Sequence, residues 1–432
     1  MKKGLMSIVL LILFVGPVTV RADEVTQLKQ QLDEQQKMLM QMQQKLEQLE
    51  AGQKTQEKKI DEKISTAVQD KQFSLLPDNL KWVENVKLSG DLRYRHETVN
   101  SQSNGRWNAG DNKNRIRARL QLDAKINDDW NAIFRIASGS ADPTSTNQTL
   151  ENAFSSKAIW LDLAYFDWHP ASVKGLNVYG GKMKNPFYRV GGSQLVWDDD
   201  LNPEGIAASY EKSLSETNKL YVNGGGFWVD QSSSTGNISL WGAQGYLKHT
   251  FENKNYLTAG MSYYNYGNLK GKQSLYKQWS SSTPVKSLGN SINSSTFNYQ
   301  NDYDIVEAFS EYGFKFNDMP VAVFGDYVKN IAATSSADTG WLIGFSLNKA
   351  KDPGSWEFSY DYRSLDADAV LGQFSDSDFA GGGTDAKGHR FGIKYQIAKN
   401  LQAGLTYFMD QLGAGEKDSK YTRLQADLVL KF

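Results

Sequence analysis

The chain has 432 residues, with 48 lysines and arginines against 49 aspartates and glutamates, and it has no cysteine. The absence of cysteine excludes a disulfide scaffold, a thiolate metal site and a cysteine nucleophile. The near-neutral charge argues against nucleic acid as a partner, because such binding depends on many cations that neutralise phosphates. A mean hydropathy of −0.55 leaves no room for a bundle of membrane-spanning helices, each of which needs about 20 largely apolar residues.

Residues 1–22 have the composition of a secretory signal peptide. Two lysines precede an apolar run over residues 5–15, and a small-x-small cleavage motif ends at Ala22. The alternative is an uncleaved anchor, but Gly16 and Pro17 interrupt the apolar run early. We therefore expect the mature protein to be exported.

Residues 23–77 are predicted to form a periplasmic coiled-coil segment and a linker. Apolar residues recur there at alternating spacings of three and four, which is the pattern of a heptad seam. The seam consists of Val25, Leu28, Leu32, Leu39, Met42, Leu46 and Leu49. Roughly three to four heptads are marginal as an isolated helix in water, so we expect a partner helix, most simply from another subunit. The alternative is a single solvated helix.

From residue 78 onwards the periodicity changes to two, which is typical of amphipathic strands. Between residues 115 and 126 the even positions are apolar and the odd positions are charged or polar. Sixteen segments show this alternation: 86–96, 114–126, 130–138, 158–168, 175–183, 204–211, 218–229, 238–251, 255–266, 303–316, 320–330, 339–349, 355–364, 388–397, 400–410 and 421–432. Long connections follow the first, third, fifth, ninth and thirteenth segments, and short ones follow several even-numbered segments. This arrangement of short turns and long loops is typical of an outer-membrane barrel.

The apolar parity distinguishes a membrane barrel from a soluble sandwich, because in a barrel it faces lipid while the polar parity faces a wet lumen. Aromatic residues near strand ends on this parity indicate membrane interfaces. They include Trp341, Trp356, Tyr362, Tyr395 and Tyr407. Backbone groups in hydrocarbon must all be paired, so the sheet must close. We therefore predict an all-β fold: a sixteen-stranded antiparallel transmembrane β-barrel over residues 78–432, with a water-filled interior and a short α-helical coiled coil before it.

Three segments resemble the bacterial putative-porin family. They are LAYFDWHP at 163–170, GGKMKNPF at 180–187 and WDDDLNPEG at 197–205. The signal peptide, the coiled coil and the terminal Phe432 fit the same family, so the resemblance covers nearly the whole chain. It implies a trimeric diffusion channel in the outer membrane of a Gram-negative bacterium, whereas the periodicity alone indicates only the barrel.

Cations of the lumen parity cluster on strands that become neighbours when the barrel closes. The predicted basic wall consists of Arg93, Arg95, Arg115, Arg117, Arg119, Arg135, Arg390 and Lys394. Carboxylates of the lumen parity lie elsewhere, at Glu307, Glu311, Glu357 and Asp361. Opposed charges across a pore set ion selectivity. The alternative is that these are ordinary wall residues that pair with one another.

The connection over residues 184–202 follows the fifth strand, where sixteen-stranded porins fold a loop into the lumen. The three consecutive aspartates of this connection, with the glutamate that follows it, form the predicted constriction loop. These residues are Asp198, Asp199, Asp200 and Glu204. The alternatives are an exposed acidic loop or a calcium site, and the same alternatives apply to Asp376 and Asp378. We predict no metal site, because the spacing lacks the alternating ligands and the glycine of a dedicated calcium loop.

No catalytic constellation is recognisable in the sequence. The four histidines, His96, His169, His249 and His389, lie apart and have no serine or carboxylate at a catalytic spacing. We therefore predict that the protein is not an enzyme and needs no cofactor, with a barrel-embedded lipase as a minor alternative. The leading hypothesis is passive diffusion of small hydrophilic or charged solutes, with outer-membrane lipid and these solutes as partners. The alternative is a surface adhesin or envelope tether whose coiled coil contacts the cell wall.

Overall fold

The computed structural model describes residues 33–34, 37–49, 51–52, 55–56, 58–59, 78–103, 106–232, 236–276, 280, 286–413 and 419–432. The predicted signal peptide lies outside the described residues, as does much of the predicted coiled-coil segment. The chain divides into two compact units, Met1–Lys81 and Trp82–Phe432. Residues 37–49 form a continuous helical stretch, and no helix in the described part of the chain is long and apolar enough to cross a membrane.

A 3₁₀ helix, Asp78–Asn85, precedes sixteen strands. The strands are β1 Val86–Ser103, β2 Asp111–Lys125, β3 Trp130–Ser138, β4 Ile159–Trp168, β5 Leu176–Lys182, β6 Glu204–Ser213, β7 Asn218–Asp230, β8 Ile238–Thr250, β9 Tyr256–Gly267, β10 Asp304–Phe316, β11 Met319–Asn330, β12 Thr339–Leu347, β13 Trp356–Leu365, β14 Ala386–Ala398, β15 Leu401–Leu412 and β16 Lys420–Lys431. Two-residue strands, Arg106–Trp107 and Gln148–Thr149, pair with β1 and β2. Each predicted segment overlaps one strand. The main difference is β1, which extends to Ser103 and so shortens the first connection.

The sheet closes into a barrel because each strand pairs antiparallel with the next and β1 pairs with β16. The closing pair runs from Asp91 opposite Lys431 to Ser101 opposite Tyr421. The last residue completes it, since the backbone amides of Gly90 and Phe432 each donate to the other residue's carbonyl oxygen, at 3.0 and 3.1 Å. A closed sheet leaves no edge unpaired, and the predicted fold class is confirmed.

Burial alternates along the strands as the sequence predicts. On β1, Arg93 is 9% exposed and Leu92 is 46% exposed, and on β16 Arg423 is buried while Leu424 is exposed. Polar parity therefore faces inward and apolar parity faces outward. The aromatic side chains of Trp341, Trp356, Tyr395 and Tyr407 are exposed on the outward face.

Three long connections fold into the barrel, so its interior is not simply a wet lumen. They comprise residues 183–203, the described part of 268–303 (residues 268–276, 280 and 286–303) and residues 366–385. Backbone hydrogen bonds join the first to the third, as from the Asp198 amide to the Phe374 carbonyl at 2.7 Å. Apolar loop residues pack on apolar inward positions of the wall: Met183, Phe187, Val190, Leu195, Val196, Trp197 and Leu201 against Phe227, Leu240, Tyr264, Phe309, Phe324 and Leu342. The predicted water-filled interior is therefore wrong along β7 to β12. The inward positions of these strands include apolar residues, which pack with the infolded connections into a core.

The closing seam depends on the missing side chain of Gly90. A Cβ atom there would lie 2.4 Å from the Arg119 carbonyl oxygen and 2.6 Å from the Phe432 ring, whereas a Cβ at Gly245 would meet nothing within 4 Å. We predict that Gly90→Ala destabilises the barrel by about 1–3 kcal/mol, the usual cost of overpacking. The Gly245→Ala control should not destabilise it. The stability of both variants is measured as the midpoint temperature of the heat-induced gel-mobility shift in detergent. Equal midpoints for Gly90→Ala and Gly245→Ala would show that the seam tolerates a side chain.

Candidate functional site

The inward face of β1 and β2 carries a column of arginines, which we call the arginine wall: Arg93, Arg95, Arg115, Arg117 and Arg119. Both strands have arginine at successive odd positions, and the register places Arg93 opposite Arg117 and Arg95 opposite Arg115. Side chains on one face of directly opposed strand positions are close neighbours. The local sequence and the register therefore bring five guanidinium groups together.

Carboxylates on the same inward face bind three of these five arginines. Asp91 accepts hydrogen bonds from Nε of Arg117 at 2.9 Å and from Nε of Arg119 at 2.7 Å. Asp427 on β16 accepts from Nε and Nη2 of Arg95, at 2.7 and 2.8 Å. Charge-assisted hydrogen bonds of this kind are about twice as strong as neutral ones.

A third carboxylate, Glu97, connects the wall to β16. It accepts from Nε and Nη2 of Arg423, at 3.0 and 2.8 Å, and lies 3.8 Å from Nη2 of Arg115. The sequence analysis did not single out Asp91, Glu97, Arg423 or Asp427. Their odd parity on β1 and β16 was the signal that could have found them, because these strands meet at closure.

The other members of the predicted basic wall pair with carboxylates outside this column. Arg135 on β3 pairs with Asp162 on β4. On β14, Arg390 Nε donates to Asp361 at 2.8 Å, and Lys394 Nζ donates to Glu357 at 2.7 Å. Arg363, which the sequence analysis missed, also binds Asp361. The structure therefore brings together only part of the predicted wall.

The connection over residues 183–203 crosses the interior. It leaves β5 and reaches β10 and β11, where the Gly191 amide donates to Glu311 at 3.0 Å and Ser193 Oγ donates to Asp326 at 2.6 Å. It then turns back, and the Asp200 carboxylate lies 3.5 Å from Nη1 of Arg119. Since β5 and β11 are six strands apart in the closed sheet, this path spans the barrel.

The three consecutive carboxylates of this connection have different partners. Asp198 is buried and accepts hydrogen bonds from the amides of Asp200 and Ser377, at 2.8 and 2.9 Å. Burial, with the carboxylates of Asp376 and Asp200 nearby, raises the pKa of Asp198 well above its ordinary value. Asp199 pairs with Arg189. Within the described residues, no group of three or more His, Asp or Glu side chains is arranged to hold a metal ion.

Glu204 differs from its predicted place. It begins β6 opposite Lys182, and its carboxylate accepts from Lys182 Nζ at 2.8 Å. It shares the outward parity of Ile206, which is exposed. Glu204 is therefore not part of the inward acidic loop, because it lies on the outward parity of β6.

A second acidic segment, in the connection over residues 366–385, supports the same wall. Asp376 binds Nη1 of Arg363 at 2.7 Å, and Asp378 lies 3.1 Å from Nη1 of Arg423 and 3.4 Å from Nη1 of Arg95. Burial alone would raise the pKa of Asp378. The nearby guanidinium groups of Arg423 and Arg95 outweigh this effect and hold the pKa below its usual range. Both aspartates therefore have arginine partners.

Two cavities adjoin these groups. One, of about 630 Å³, is lined by Thr146, Asp200 and Trp197 among others. The other, of about 370 Å³, has charged walls of both signs that include Arg115 and Asp378. Glu307 and Glu311, predicted as part of an opposing charge ring, are instead buried beneath the 183–203 connection. There Tyr256 donates to Glu311 at 2.7 Å.

A closed sixteen-stranded barrel with an apolar outer face and a charged interior defines an outer-membrane channel. The sequence family described as putative porin matches residues 99–301 and 293–432, and the chain belongs to this family. The protein is thus an outer-membrane porin. No curated protein matches the chain in sequence.

Solved structures of bacterial outer-membrane proteins share the architecture. The high-pH structure of OprB from Pseudomonas putida is 9% identical, with a TM-score of 0.53 over 81% of this chain and 95% of that chain. OmpF of Salmonella typhi, in complex with daunomycin, is 12% identical, with a TM-score of 0.48 over 80% and 97% of the two chains. At such identities, the similarity to OprB shows the fold alone.

The buried Asp198 gives a pH-dependent prediction. The pKa of Asp198 is higher in the folded protein than in the unfolded chain. The folded protein is therefore most stable below the ordinary aspartate pKa, where the carboxyl group is neutral. It loses stability as the pH rises towards the folded-state pKa, because the buried carboxyl group then ionises. Asp198→Asn removes the charge but keeps an acceptor oxygen for only one of the two amides, so the stability of the variant relative to wild type should rise with pH, by about 1–3 kcal/mol across the range. Thermal unfolding in detergent across this pH range measures the difference.

The matched control for this prediction is Asp199→Asn, because the neighbouring side chain of Asp199 is 63% exposed. Its stability difference from wild type should change little over the same range. A difference between Asp198→Asn and wild type that stays constant with pH would contradict the assignment of a destabilising buried charge.

Proposed function

We propose that this porin allows passive diffusion of small hydrophilic or charged solutes, and that the passage narrows between the arginine wall and the infolded connection. The observation that carries the proposal is the 3.5 Å contact between Asp200 and Arg119, which joins the two across the interior. The cavity of about 630 Å³ beside Asp200 supports it, because open space adjoins this contact.

Opposed charges on the two sides of a narrow passage create a transverse field. A low-dielectric wall focuses this field onto a permeating solute. Polar and charged solutes interact favourably with the field, whereas apolar solutes would lose hydration without compensation. The carboxylates Asp91, Glu97 and Asp427 reduce the net positive charge of the wall, so we expect a weak preference for anions.

The alternative, an adhesin or envelope tether, requires loops that are displayed outwards. Two long connections instead bind each other inside the barrel. Asn290 Nδ2 donates to the carbonyl oxygens of Ala367 and Val370, each at 2.8 Å, and Tyr303 donates to Asp368 at 3.0 Å. These contacts favour a channel. A channel role also accounts for the charged interior, and we infer that the protein is not an enzyme.

We further infer that the porin is a homotrimer, exported by its signal peptide, with the coiled coil in the periplasm. On the outward face of the barrel, the Lys182–Glu204 ion pair lies beside the short strand β5. Charged groups are costly against hydrocarbon, so this side suits a neighbouring subunit better than lipid. In the helix, the heptad residues Leu39 and Leu46 are exposed in the single chain, which suits helix pairing between subunits.

Ion selectivity tests the proposed passage. We predict that changing Arg115, Arg117 and Arg119 together to alanine shifts the reversal potential in a salt gradient towards cation preference. The shift should be larger at low salt, where screening is weak. The control is Arg106→Ala, an exposed arginine of the two-residue hairpin strand outside the wall. A reversal potential that the triple substitution leaves unchanged would mean that these side chains do not line the passage.

Assembly can be tested through the heptad seam. Replacing Leu32, Leu39 and Leu46 with glutamine removes the apolar seam, and we predict weaker oligomers with unchanged single-channel conductance. Size-exclusion chromatography with light scattering in detergent measures the oligomeric state, and planar bilayers measure the conductance. Oligomers as stable as those of wild type would mean that the helix tethers the barrel and does not assemble it.

A further inference from the structure

Two arginines of the wall have hydrogen-bond donors without acceptors. The Nε atoms of Arg93 and Arg115 are buried, and neither has a hydrogen-bond partner. Arg93 is nine-tenths buried as a whole residue. A buried guanidinium that leaves a donor unsatisfied is costly, since desolvation of the charge is not repaid. These two orphan donors therefore indicate a missing acceptor.

Arg93 also lacks the carboxylate partner that its neighbours have. Asp91 binds Arg117 and Arg119, and Asp427 binds Arg95. Among the described residues, the hydrogen-bond acceptor of Arg93 is an amide oxygen, Oδ1 of Asn147, at 2.6 Å from Nη2. The positive charge of Arg93 is thus left without a direct counter-charge.

The register brings the two orphan donors to the same place. Arg93 faces Arg117 and Arg95 faces Arg115, so Arg93 and Arg115 are diagonal neighbours on one face. Diagonal positions are about 7–8 Å apart, within reach of side chains as long as arginine. Three like charges at Arg93, Arg115 and Arg117 repel one another, and an anion held between them would relieve this repulsion.

We propose that Arg93, Arg115 and Arg117 form a binding subsite for a phosphate-type oxyanion, either free or carried by a solute in transit. The planar guanidinium fork matches the oxygen spacing of such a group, which chloride cannot reproduce. Access is available to Arg115, which lines the cavity of about 370 Å³ together with Ser145 and Ser377. This inference rests on the proposed channel function and assigns a solute class to it.

Single-channel recording of chloride current at fixed ionic strength tests the subsite. Titration with inorganic phosphate, and separately with glycerol 3-phosphate, should reduce the wild-type current saturably. Arg93→Gln should weaken this block at least tenfold, and so should Arg93→Lys, because lysine keeps the charge but lacks the fork. Arg106→Gln, outside the wall, is the control and should leave the block unchanged. If the phosphate probes block the current of Arg93→Lys as strongly as that of wild type, binding depends on charge alone, which contradicts the proposed subsite.

Failure of the subsite and failure of the channel are distinguishable. If the channel conducts chloride but neither phosphate probe blocks the current saturably, the subsite proposal is wrong and the proposed channel function is unaffected. If no current is seen, calorimetric titration of inorganic phosphate into the detergent-solubilised full chain still tests the subsite. The heat-induced gel shift checks that each variant is folded. If Arg93→Gln does not fold, Arg115→Gln replaces it with the same expected loss.

Discussion

The need to pair every backbone N–H and C=O group without help from water determines this structure. In hydrocarbon only a closed sheet satisfies that need, and here the last strand returns to the first through eleven consecutive residue pairs. Closure fixes the register all round the barrel, and the register then decides which side chains share the interior. The arginine wall follows directly, because β1 and β2 each carry arginine at successive inward positions and closure adds Asp427 and Arg423 from β16.

A second constraint is the cost of placing charge inside the barrel. A buried guanidinium is tolerated where a carboxylate with good geometry accompanies it. The infolded connections supply part of this counter-charge, since Asp200, Asp376 and Asp378 all contact inward arginines. The same connections bring apolar residues that pack on β7 to β12. The interior is therefore divided into an apolar side that anchors the loops and a charged side that faces the remaining space.

Strand positions and inward parity could be predicted from the sequence because both depend on local alternation. Arg117 and Leu120 differ in direction simply because one number is odd and the other even. The predicted strands consequently agree with the observed ones to within a few residues, apart from the long β1. The place of the acidic connection came from the family resemblance, and its path across the interior depends on tertiary contacts such as Ser193 with Asp326.

Other features depended on information that a single sequence does not carry. Glu204 was misplaced because it was grouped with the acidic run that precedes it, although its parity on β6 is that of the outward Ile206. The apolar interior was missed because Phe309 and Phe324 interrupt the inward polar pattern, and nothing local shows what covers them. Glu97 and Asp427 were overlooked as partners of the wall, although their parity was readable, because pairing with β16 joins positions more than 300 residues apart. The position of the wall thus follows from local alternation, whereas barrel closure supplies part of its counter-charge.

The central claim is that solutes pass along the arginine wall inside the barrel, and the absence of natural cysteine makes it directly testable. Arg117→Cys places a thiol on the inward face, and Ala118→Cys places one on the outward face of the same strand. A charged, membrane-impermeant thiol reagent should reduce the single-channel current of Arg117→Cys irreversibly and leave that of Ala118→Cys unchanged. Equal sensitivity of the two variants, or block of Ala118→Cys alone, would contradict this account.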